Sequence, residues 1–400
     1  MSRFGLRKLG LLTLLVVASS LASLLLAEAV LRWTTPAAYF VWSPGLQEVF
    51  RPGPDLMPGI TGESRFFINE LGLRGDTFSE AQTYRILALG GSTTECLYLD
   101  ETEAWPRLVQ EQLNYGRGEE QLTWVGNAGK SGLDTRHHIV QIERLLSQYV
   151  AIDAVLLLIG VNDLLMRLKL DRGDTPFPGV EQLDARAYDT FMSRAFSVWP
   201  AADSRHPSYE RTELWRRLRI LKRRYFDSLQ PSLEQDRAGS IYETWRSYRE
   251  NAASLRNALP DLSSALDAYA ENVRSIVRIA QAKGVRVIFS TQPHMWRSGM
   301  PSEDRALLWS GGVGDYQEEA GHEYYSVEAL ADGIAQYNGR LLQTCREEHV
   351  ECIDLERRIP KSRAVFYDAM HFNEAGSRRV AEILSEYLSQ SLPPIARPPS

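Results

Sequence analysis

A serine, a histidine and an aspartate in this chain have the types and surroundings that nucleophilic catalysis requires. Ser92 follows two glycines at the end of the apolar run Tyr84–Leu89. Glycines permit a sharp turn, and a helix that begins at Ser92 would place its hydroxyl beside unpaired N–H groups at a positive helix terminus. His371 follows Asp368 by three residues, so both side chains can project to one side of a turn. Together they could supply a nucleophile, a base and a carboxylate that orients the base.

Two other loops could stabilise the negative charge that develops during acyl transfer. The glycine-rich stretch Gly126–Gly132 follows the second apolar run, and Gly160–Asp163 follows the third. We expect an oxyanion hole made of the backbone N–H groups of Ser92 and Gly132 and the side-chain amide of Asn162.

Each of these features also has an ordinary structural alternative. Two glycines before a serine occur in tight turns and in phosphate-binding loops, although a phosphate loop would require a lysine that this turn lacks. The α/β-hydrolase elbow requires a glycine where this chain has Thr94. Asp368 and His371 could be only a helix N-cap and a surface histidine. All four features follow predicted strands, and this combination favours the catalytic interpretation over the structural alternatives.

Strand-like and helical runs alternate along the chain, and they predict the elements that must position these residues. The five strand-like runs are Tyr84–Leu89, Leu122–Val125, Ala154–Ile159, Val285–Ser290 and Val350–Ile353. Continuous apolar strands separated by helices predict an α/β fold with a parallel sheet of about five strands, covered on both faces. Ligands bind at the carboxyl ends of such strands, which is where the candidate residues lie. Residues 164–261 contain no strand-like run and are interpreted as a helical insertion after the third strand.

The four motifs together resemble the conserved blocks of the SGNH/GDSL hydrolases. The matching segments are Gly90–Thr93 for G-D-S, Asn127–Gly132 for N-x-x-x-S-G, Gly160–Asp163 for G-x-N-D, and Asp368–His371 for D-x-x-H. Gly91 replaces the aspartate of the first block, as in many membrane-anchored members. The resemblance implies a three-layer flavodoxin-like fold and ester hydrolysis without a metal or cofactor. It also implies that Ser92, His371 and Asp368 are the catalytic triad and that Gly132 and Asn162 are oxyanion donors.

The N-terminal segment, residues 1–32, is predicted to be a membrane anchor. Leu9–Ala27 carries no charge, and a membrane-spanning helix needs about 20 apolar residues. Arg3, Arg7 and Lys8 precede it, which predicts a single span with a cytoplasmic N-terminus and a periplasmic or extracellular catalytic domain. A cleaved signal peptide and a buried core helix are the alternatives. The formal net charge of −6 argues against a nucleic-acid partner.

The rest of the chain is predicted to form one catalytic domain with flanking segments. We expect residues 33–83 to be an extended linker that packs on the domain, residues 84–390 to be the domain itself, and residues 391–400 to be a flexible tail. In an oxidising compartment, Cys345 and Cys352 are a candidate disulfide between a helix and the next strand, with two free buried thiols as the alternative.

The predicted function is that of an extracytoplasmic serine esterase acting on O-acyl, for example acetyl, groups of small molecules or of a polysaccharide. An O-acyltransferase with the same triad and a non-catalytic envelope-binding module are the alternatives, and the sequence does not predict the oligomeric state. His294 and Trp296 follow the fourth strand and are candidate substrate contacts, with loop packing as the alternative. Trp309 and Trp199 could offer faces for stacking on sugars. No cluster of His, Asp and Glu has metal-ligand spacing, so no metal is expected.

Overall fold

The computed structural model consists of strands and helices that alternate from Gln82 onwards. It describes residues 3–34, 38–116, 122–149, 151–171, 177–200, 203–205, 207, 209, 211–215, 217–218, 221 and 239–392. The strands are β1 Gln47–Phe50, β2 Ser64–Phe67, β3 Gln82–Gly90, β4 Leu122–Asn127, β5 Ala154–Leu158, β6 Ser254–Arg256, β7 Arg286–Ser290, β8 Glu323–Tyr325 and β9 Glu351–Ile353. The helices are α1 Arg3–Thr34, α2 Ser92–Glu95, α3 Trp105–Asn114, α4 Thr135–Gln148, α5 Val161–Leu170, α6 Ala185–Ala195, α7 Ser240–Glu250, α8 Ser263–Gln281, α9 Ser302–Arg305, α10 Val327–Glu347 and α11 Glu374–Ser391.

The central sheet contains the five predicted strands, all parallel, in the order β4-β3-β5-β7-β9. The prediction of a parallel five-stranded sheet is therefore confirmed. Numbered by their sequence, the strands follow the order 2-1-3-4-5, which is the flavodoxin-like arrangement. Every residue of β5 is buried, as a continuous apolar strand covered on both faces should be. The reversal of strand order lies between β3 and β5, where such sheets bind ligands.

Helices pack on both faces of this sheet and complete the three layers. Helix α3 packs against α11 and β4, while α8 packs against α4, α10 and β7. The buried residues of α8 recur at helical spacing, with Tyr269, Val273, Ile276 and Ala280 on the covered face. This amphipathic pattern is typical of a helix that covers a sheet and leaves its other face to solvent.

One expectation about the long insertion is wrong. Residues 164–261 were expected to contain no strand, yet β6 lies within them and pairs in parallel with β8. Strand β6 is only three residues long and is mostly exposed, so it has no apolar periodicity by which the sequence could reveal it. Its pairing partner is distant in the chain. Only the tertiary fold brings the two strands together.

The chain divides into two compact units. The first contains Met1–Tyr39, Leu183–Ser193 and Val198–Pro231. Within it, the stretch Gly10–Thr34 of α1 is long and apolar enough to cross a membrane, and none of its residues is buried. Length and composition make it compatible with an anchor or a signal sequence. In the same unit, the carboxylate of Glu28 accepts hydrogen bonds from the N–H groups of residues 213 and 214, each at 3.0 Å.

The second unit contains the central sheet together with the segment that precedes it. It comprises Phe40–Gln182, Arg194–Ser197 and Ser232–Ser400. The segment predicted as a linker contains β1 and β2, which form an antiparallel pair. Residues 35–37 of that segment and 393–400 of the predicted tail lie outside the described residues. The division into a linker, one catalytic domain and a tail stays a prediction.

Arg74, which precedes the sheet, holds the turn that follows α2. Its guanidinium donates to the carbonyl oxygens of Glu95, Cys96 and Leu99 at 2.5–2.7 Å. It also forms an ion pair with Glu101 at 2.8 Å, and its side chain is only 1% exposed. Backbone bonds join it to β4 as well. The chain before the sheet therefore supports the turn that carries Ser92.

We expect Arg74→Met to lower the free energy of unfolding by about 3–5 kcal/mol, because it leaves the partly buried Glu101 carboxylate and three carbonyl groups without their donor. Denaturant unfolding monitored by fluorescence would measure the loss. The matched control is Arg51→Met, which removes an exposed ion pair with Glu63 and should cost less than about 1 kcal/mol. Equal losses in the two variants would contradict the structural role of Arg74.

Candidate active site

The three residues predicted as a triad form a continuous hydrogen-bonded chain. Nε2 of His371 lies 2.7 Å from Oγ of Ser92, although these residues are 279 positions apart. Nδ1 of the same ring lies 2.7 Å from Oδ2 of Asp368. With Nδ1 protonated, Nε2 can accept the proton of the serine hydroxyl, which is the arrangement that nucleophilic catalysis requires.

The Asp368 carboxylate is buried, yet several donors favour its ionised form. Burial alone would raise the pKa of Asp368. The charge and hydrogen bond of His371, the N–H of Met370 and the indole of Trp309 outweigh burial and hold this pKa below its ordinary value. A lowered pKa means that the carboxylate's contribution to stability is present at neutral pH and is lost as the pH falls through the folded-state pKa. Asp368 is therefore an anion at any pH near neutrality.

Ser92 is the first residue of a helix of only four residues. The carbonyl oxygen of Gly91 accepts bonds from the N–H groups of Thr94 and Glu95, and the helix ends at Cys96, whose φ is 55°. The N–H of Ser92 precedes the first helical hydrogen bond and donates to no described group. As an N–H group of the first turn, it has no partner within the helix and is available to an anion.

Asn162 lies against the turn that carries Ser92. Its amide donates to the carbonyl oxygen of Leu133 at 2.8 Å. A Cβ built on Gly91 would lie 2.2 Å from the amide nitrogen, so any side chain at position 91 would displace Asn162. Position 91 therefore has no room for a side chain while Asn162 stays where it is. These contacts bring the amide next to both Ser92 and the loop that contains Gly132.

Gly132 adopts a backbone conformation that favours glycine. Its φ is +73°, in the left-handed region. The N–H of Gly132 donates to no group among the described residues. The next residue is Leu133, whose carbonyl oxygen accepts the hydrogen bond from Asn162. Asn162 thus lies against Gly91, which precedes Ser92, and bonds the residue that follows Gly132, while an oxyanion hole made of the three donors stays a prediction.

The loop before Gly132 is tied to α2 by buried polar groups. The amide of Asn127 donates to the carbonyl oxygen of Thr94 at 2.8 Å, and its oxygen accepts from the N–H of Gly129 at 2.9 Å. The hydroxyl of Ser131 donates to the carboxylate of Glu95. Burial raises the pKa of Glu95, although Ser131 and nearby positive charges oppose this effect. The motif asparagine thus positions the loop rather than contacting the nucleophile.

Asp163, the last residue of the G-x-N-D motif, joins two helices. Its Oδ1 accepts from the hydroxyl and the N–H of Thr135 at 2.6 and 3.1 Å. Burial and the nearby charge of Asp134 raise the pKa of Asp163. This bond fixes the start of α5, and hence Asn162, relative to the start of α4.

Two aromatic residues that the sequence did not connect with the triad contact it directly. The indole N–H of Trp309 donates to Oδ2 of Asp368 at 2.8 Å. The ring of Tyr367 stacks on His371, with centroids 5.4 Å apart and planes inclined by 7°. Trp309 is only 9% exposed, so it cannot offer the open face that sugar stacking would need. No motif surrounds Trp309, so the sequence contained no signal for this contact.

His294 and Trp296 follow β7 at the reactive edge, but both side chains are buried. They are 2% and 0% exposed. Nε2 of His294 lies 3.0 Å from Nζ of Lys361 and 3.5 Å from the carboxylate of Glu356. These positions fit the packing alternative, and the residues are not included in the site proposed below.

The chain's three cysteines are free thiols in this structure. The neighbouring thiol of Cys352 and, after it, burial raise the pKa of Cys345. Their pairing as a disulfide stays a prediction. Among the described residues, no group of three or more His, Cys, Asp and Glu side chains is arranged to hold a metal ion.

Comparisons with known proteins identify the family. The model of the GDSL-like lipase/acylhydrolase family matches residues 88–379. No curated protein matches the sequence. Similar solved structures include a lipolytic protein of the G-D-S-L family from Veillonella parvula, with 12% identity, 77% of this chain and 99% of that chain covered, and a TM-score of 0.39.

Two further solved structures have similar values. The acetylxylan esterase Axe2 from Geobacillus stearothermophilus has 13% identity, 80% of this chain and 100% of that chain covered, and a TM-score of 0.39. The aryl esterase of M. smegmatis has 12% identity, with 78% of this chain and 100% of that chain covered, and a TM-score of 0.40. Since the family model spans most of the chain, the protein belongs to the GDSL-like lipase/acylhydrolase family and is an ester hydrolase of the SGNH type.

Proposed function

We propose that this protein is a membrane-anchored, extracytoplasmic serine esterase in which Ser92, His371 and Asp368 are the catalytic triad. The observation that carries the proposal is the pair of 2.7 Å contacts that His371 makes, one to the Ser92 hydroxyl and one to the Asp368 carboxylate. A buried imidazole between a hydroxyl and an ionised carboxylate is poised to remove a proton from the hydroxyl.

The reaction proceeds through an acyl-enzyme. Oγ of Ser92 attacks the ester carbonyl while Nε2 of His371 takes its proton, and Asp368 stabilises the imidazolium that forms. The carbonyl oxygen becomes an oxyanion that accepts hydrogen bonds from the N–H groups of Ser92 and Gly132 and from the amide of Asn162. Collapse breaks the bond to the alcohol, which leaves with the proton from His371.

Water completes the cycle by the same route. His371 takes a proton from the water as it attacks the acyl carbonyl, and the second tetrahedral species is held by the same donors. Its collapse releases the carboxylic acid and returns the proton to Oγ of Ser92. If a sugar hydroxyl replaces the water, the same steps transfer the acyl group, which is the acyltransferase alternative.

The proposed location outside the cytoplasm rests on the N-terminal segment. Helix α1 contains an exposed apolar stretch of 25 residues, Gly10–Thr34, and basic residues precede it. An enzyme held there meets acylated envelope or secreted polysaccharides, so we propose O-acetyl groups on such polymers as the substrate.

The test uses the full-length protein in detergent micelles. Hydrolysis of p-nitrophenyl esters of increasing chain length gives the acyl preference, and acetate release from acetylated polysaccharides tests the proposed substrate. Repeating the assay with a deacetylated sugar acceptor and analysing the products separates hydrolysis from transfer. Folded protein that hydrolyses none of these esters and is not labelled by a fluorophosphonate would instead indicate a binding module.

Loss of the Asn162 amide should affect the transition state more than substrate binding. We expect Asn162→Ala to lower kcat by about 100- to 1000-fold with little change in KM, the usual effect of removing one oxyanion donor. Steady-state kinetics with p-nitrophenyl acetate would measure it. The matched control is Asn251→Ala, which removes an amide that donates to the carbonyl oxygen of Ser247 instead. A kcat in Asn162→Ala close to that of the control would exclude Asn162 from the oxyanion hole.

A further inference from the structure

The geometry points to Trp309 as a positioning residue of the catalytic site, whose indole N–H fixes the Asp368 carboxylate and moderates its interaction with His371. The inference rests on the function proposed above. No family block contains Trp309, which lies 59 residues before Asp368 in the chain.

Trp309 completes the set of donors around the carboxylate. Oδ1 of Asp368 accepts from the backbone N–H groups of Met370 and His371, at 2.9 and 2.8 Å. Oδ2 accepts from Nδ1 of His371 and from Nε1 of Trp309, at 2.7 and 2.8 Å. Each oxygen therefore accepts from two donors, and the four hydrogen bonds together fix the orientation of the carboxylate. Without the indole, Oδ2 would be held only by the imidazole that it is meant to orient.

The indole is placed by the scaffold and not by the carboxylate. The neighbouring carbonyl oxygen of Ser310 accepts from the buried guanidinium of Arg249 at 2.6 Å, and the same guanidinium donates to Tyr325 at 2.8 Å. The ring of Trp245 also packs on Trp309 with centroids 4.8 Å apart, and this is a ring contact that a phenylalanine at position 245 would retain. Because these contacts exist independently of Asp368, the N–H is preorganised towards Oδ2. A bond to a charged acceptor in a buried setting is stronger than the same bond in water.

Because His371 and Trp309 both donate to Oδ2 of Asp368, we also expect the indole to affect the pH dependence of catalysis. The indole withdraws part of the negative charge that Oδ2 offers to the imidazolium of His371. Removing the indole N–H should therefore stabilise the imidazolium and move the acidic limb of the kcat/KM profile to higher pH. The other titratable groups around the pair are Glu95 of α2, Tyr242 and Arg246 of α7, and Tyr367. A Trp→Phe substitution leaves all of them in place.

The experiment compares Trp309→Phe with Trp245→Phe in the full-length protein. Both variants keep an aromatic ring in the same cluster and remove one indole N–H, but the indole of Trp245 donates to the carbonyl oxygen of Gln317 at 3.1 Å. We expect Trp309→Phe to lower kcat/KM for p-nitrophenyl acetate by about 10- to 100-fold, mainly through kcat, and to shift the acidic limb upwards. Trp245→Phe should keep the wild-type pH profile.

Two results would overturn the inference: a folded Trp309→Phe variant with wild-type kcat and pH profile, or equal effects in both variants, which would indicate packing alone. Absence of any Ser92-dependent turnover in wild type would defeat the proposed function instead. The positioning role would still be tested by ¹⁵N spectra of histidine-labelled protein, with the His371 signal assigned from His371→Asn. Trp309→Phe should change the titration of that ring, and Trp245→Phe should not; an unchanged ring in both variants would refute it.

Discussion

Replacing Ser92 with alanine should lower kcat by about 10⁴- to 10⁶-fold, the loss seen when the nucleophile of a serine hydrolase is removed. The hydroxyl is hydrogen-bonded to Nε2 of His371, and it forms no side-chain hydrogen bond with any other described residue. The residual rate would come from the oxyanion donors and from substrate binding, which the substitution leaves intact. The melting temperature should change little, because the side chain is small and half-buried.

Two measurements check this expectation in the full-length protein. Steady-state hydrolysis of p-nitrophenyl acetate gives the loss in rate, and a fluorophosphonate reports whether a nucleophile is still present. The control is Ser263→Ala, which removes another serine at the start of a helix, one whose hydroxyl donates to Asp261. Labelling that persists in Ser92→Ala, or is lost in Ser263→Ala, would show that the nucleophile is another residue.

The sequence predicted the sheet well because each central strand is a continuous apolar run. β3, β5 and β7 are buried along most of their length, so their composition alone indicates their structure. The motifs at the ends of the strands then follow from topology, since parallel strands present their carboxyl ends at one edge. For this reason the loops of Ser92, Gly132 and Asn162 could be expected to meet, whereas His371 comes only after a further loop beyond β9.

The residues that support the site could not be predicted in this way. Arg74 stands in an ordinary Arg-Gly-Asp tripeptide, and Glu95 and Trp309 belong to no recognisable spacing. Their roles come from contacts with backbone carbonyls or with a single carboxylate far away in the chain. Such contacts depend on the tertiary fold, and one sequence contains no pattern that reports them.

The position of a residue after a strand also does not decide whether it is exposed. His294 and Trp296 follow β7 at the reactive edge, which made them candidates for substrate contact. In the structure the segment folds back, and the N–H of Met295 donates to the carbonyl oxygen of Ala369 at 2.7 Å. The loop with Asp368 and His371 is thus bonded to the residue between these two buried side chains.

Asp368→Asn should lower kcat by about 10⁴-fold, because the amide would impose the wrong tautomer on His371. Two backbone N–H groups require an acceptor at the position of Oδ1, so the amide oxygen must lie there. The NH₂ group then takes the place of Oδ2 and donates to Nδ1 of His371. The ring must carry its proton on Nε2, facing Ser92, and it can no longer act as the base.

The same geometry predicts how this variant responds to a second change. In Asp368→Asn the NH₂ group also faces the indole N–H of Trp309, so two donors oppose each other. Adding Trp309→Phe removes that conflict, and the double variant should be no less active than Asp368→Asn alone, although Trp309→Phe harms the wild type. A double-mutant cycle on kcat measures this coupling. Asp304→Asn, at a buried carboxylate paired with Arg297, is the control and should retain kcat. Additive losses would mean that Trp309 acts independently of the Asp368 carboxylate.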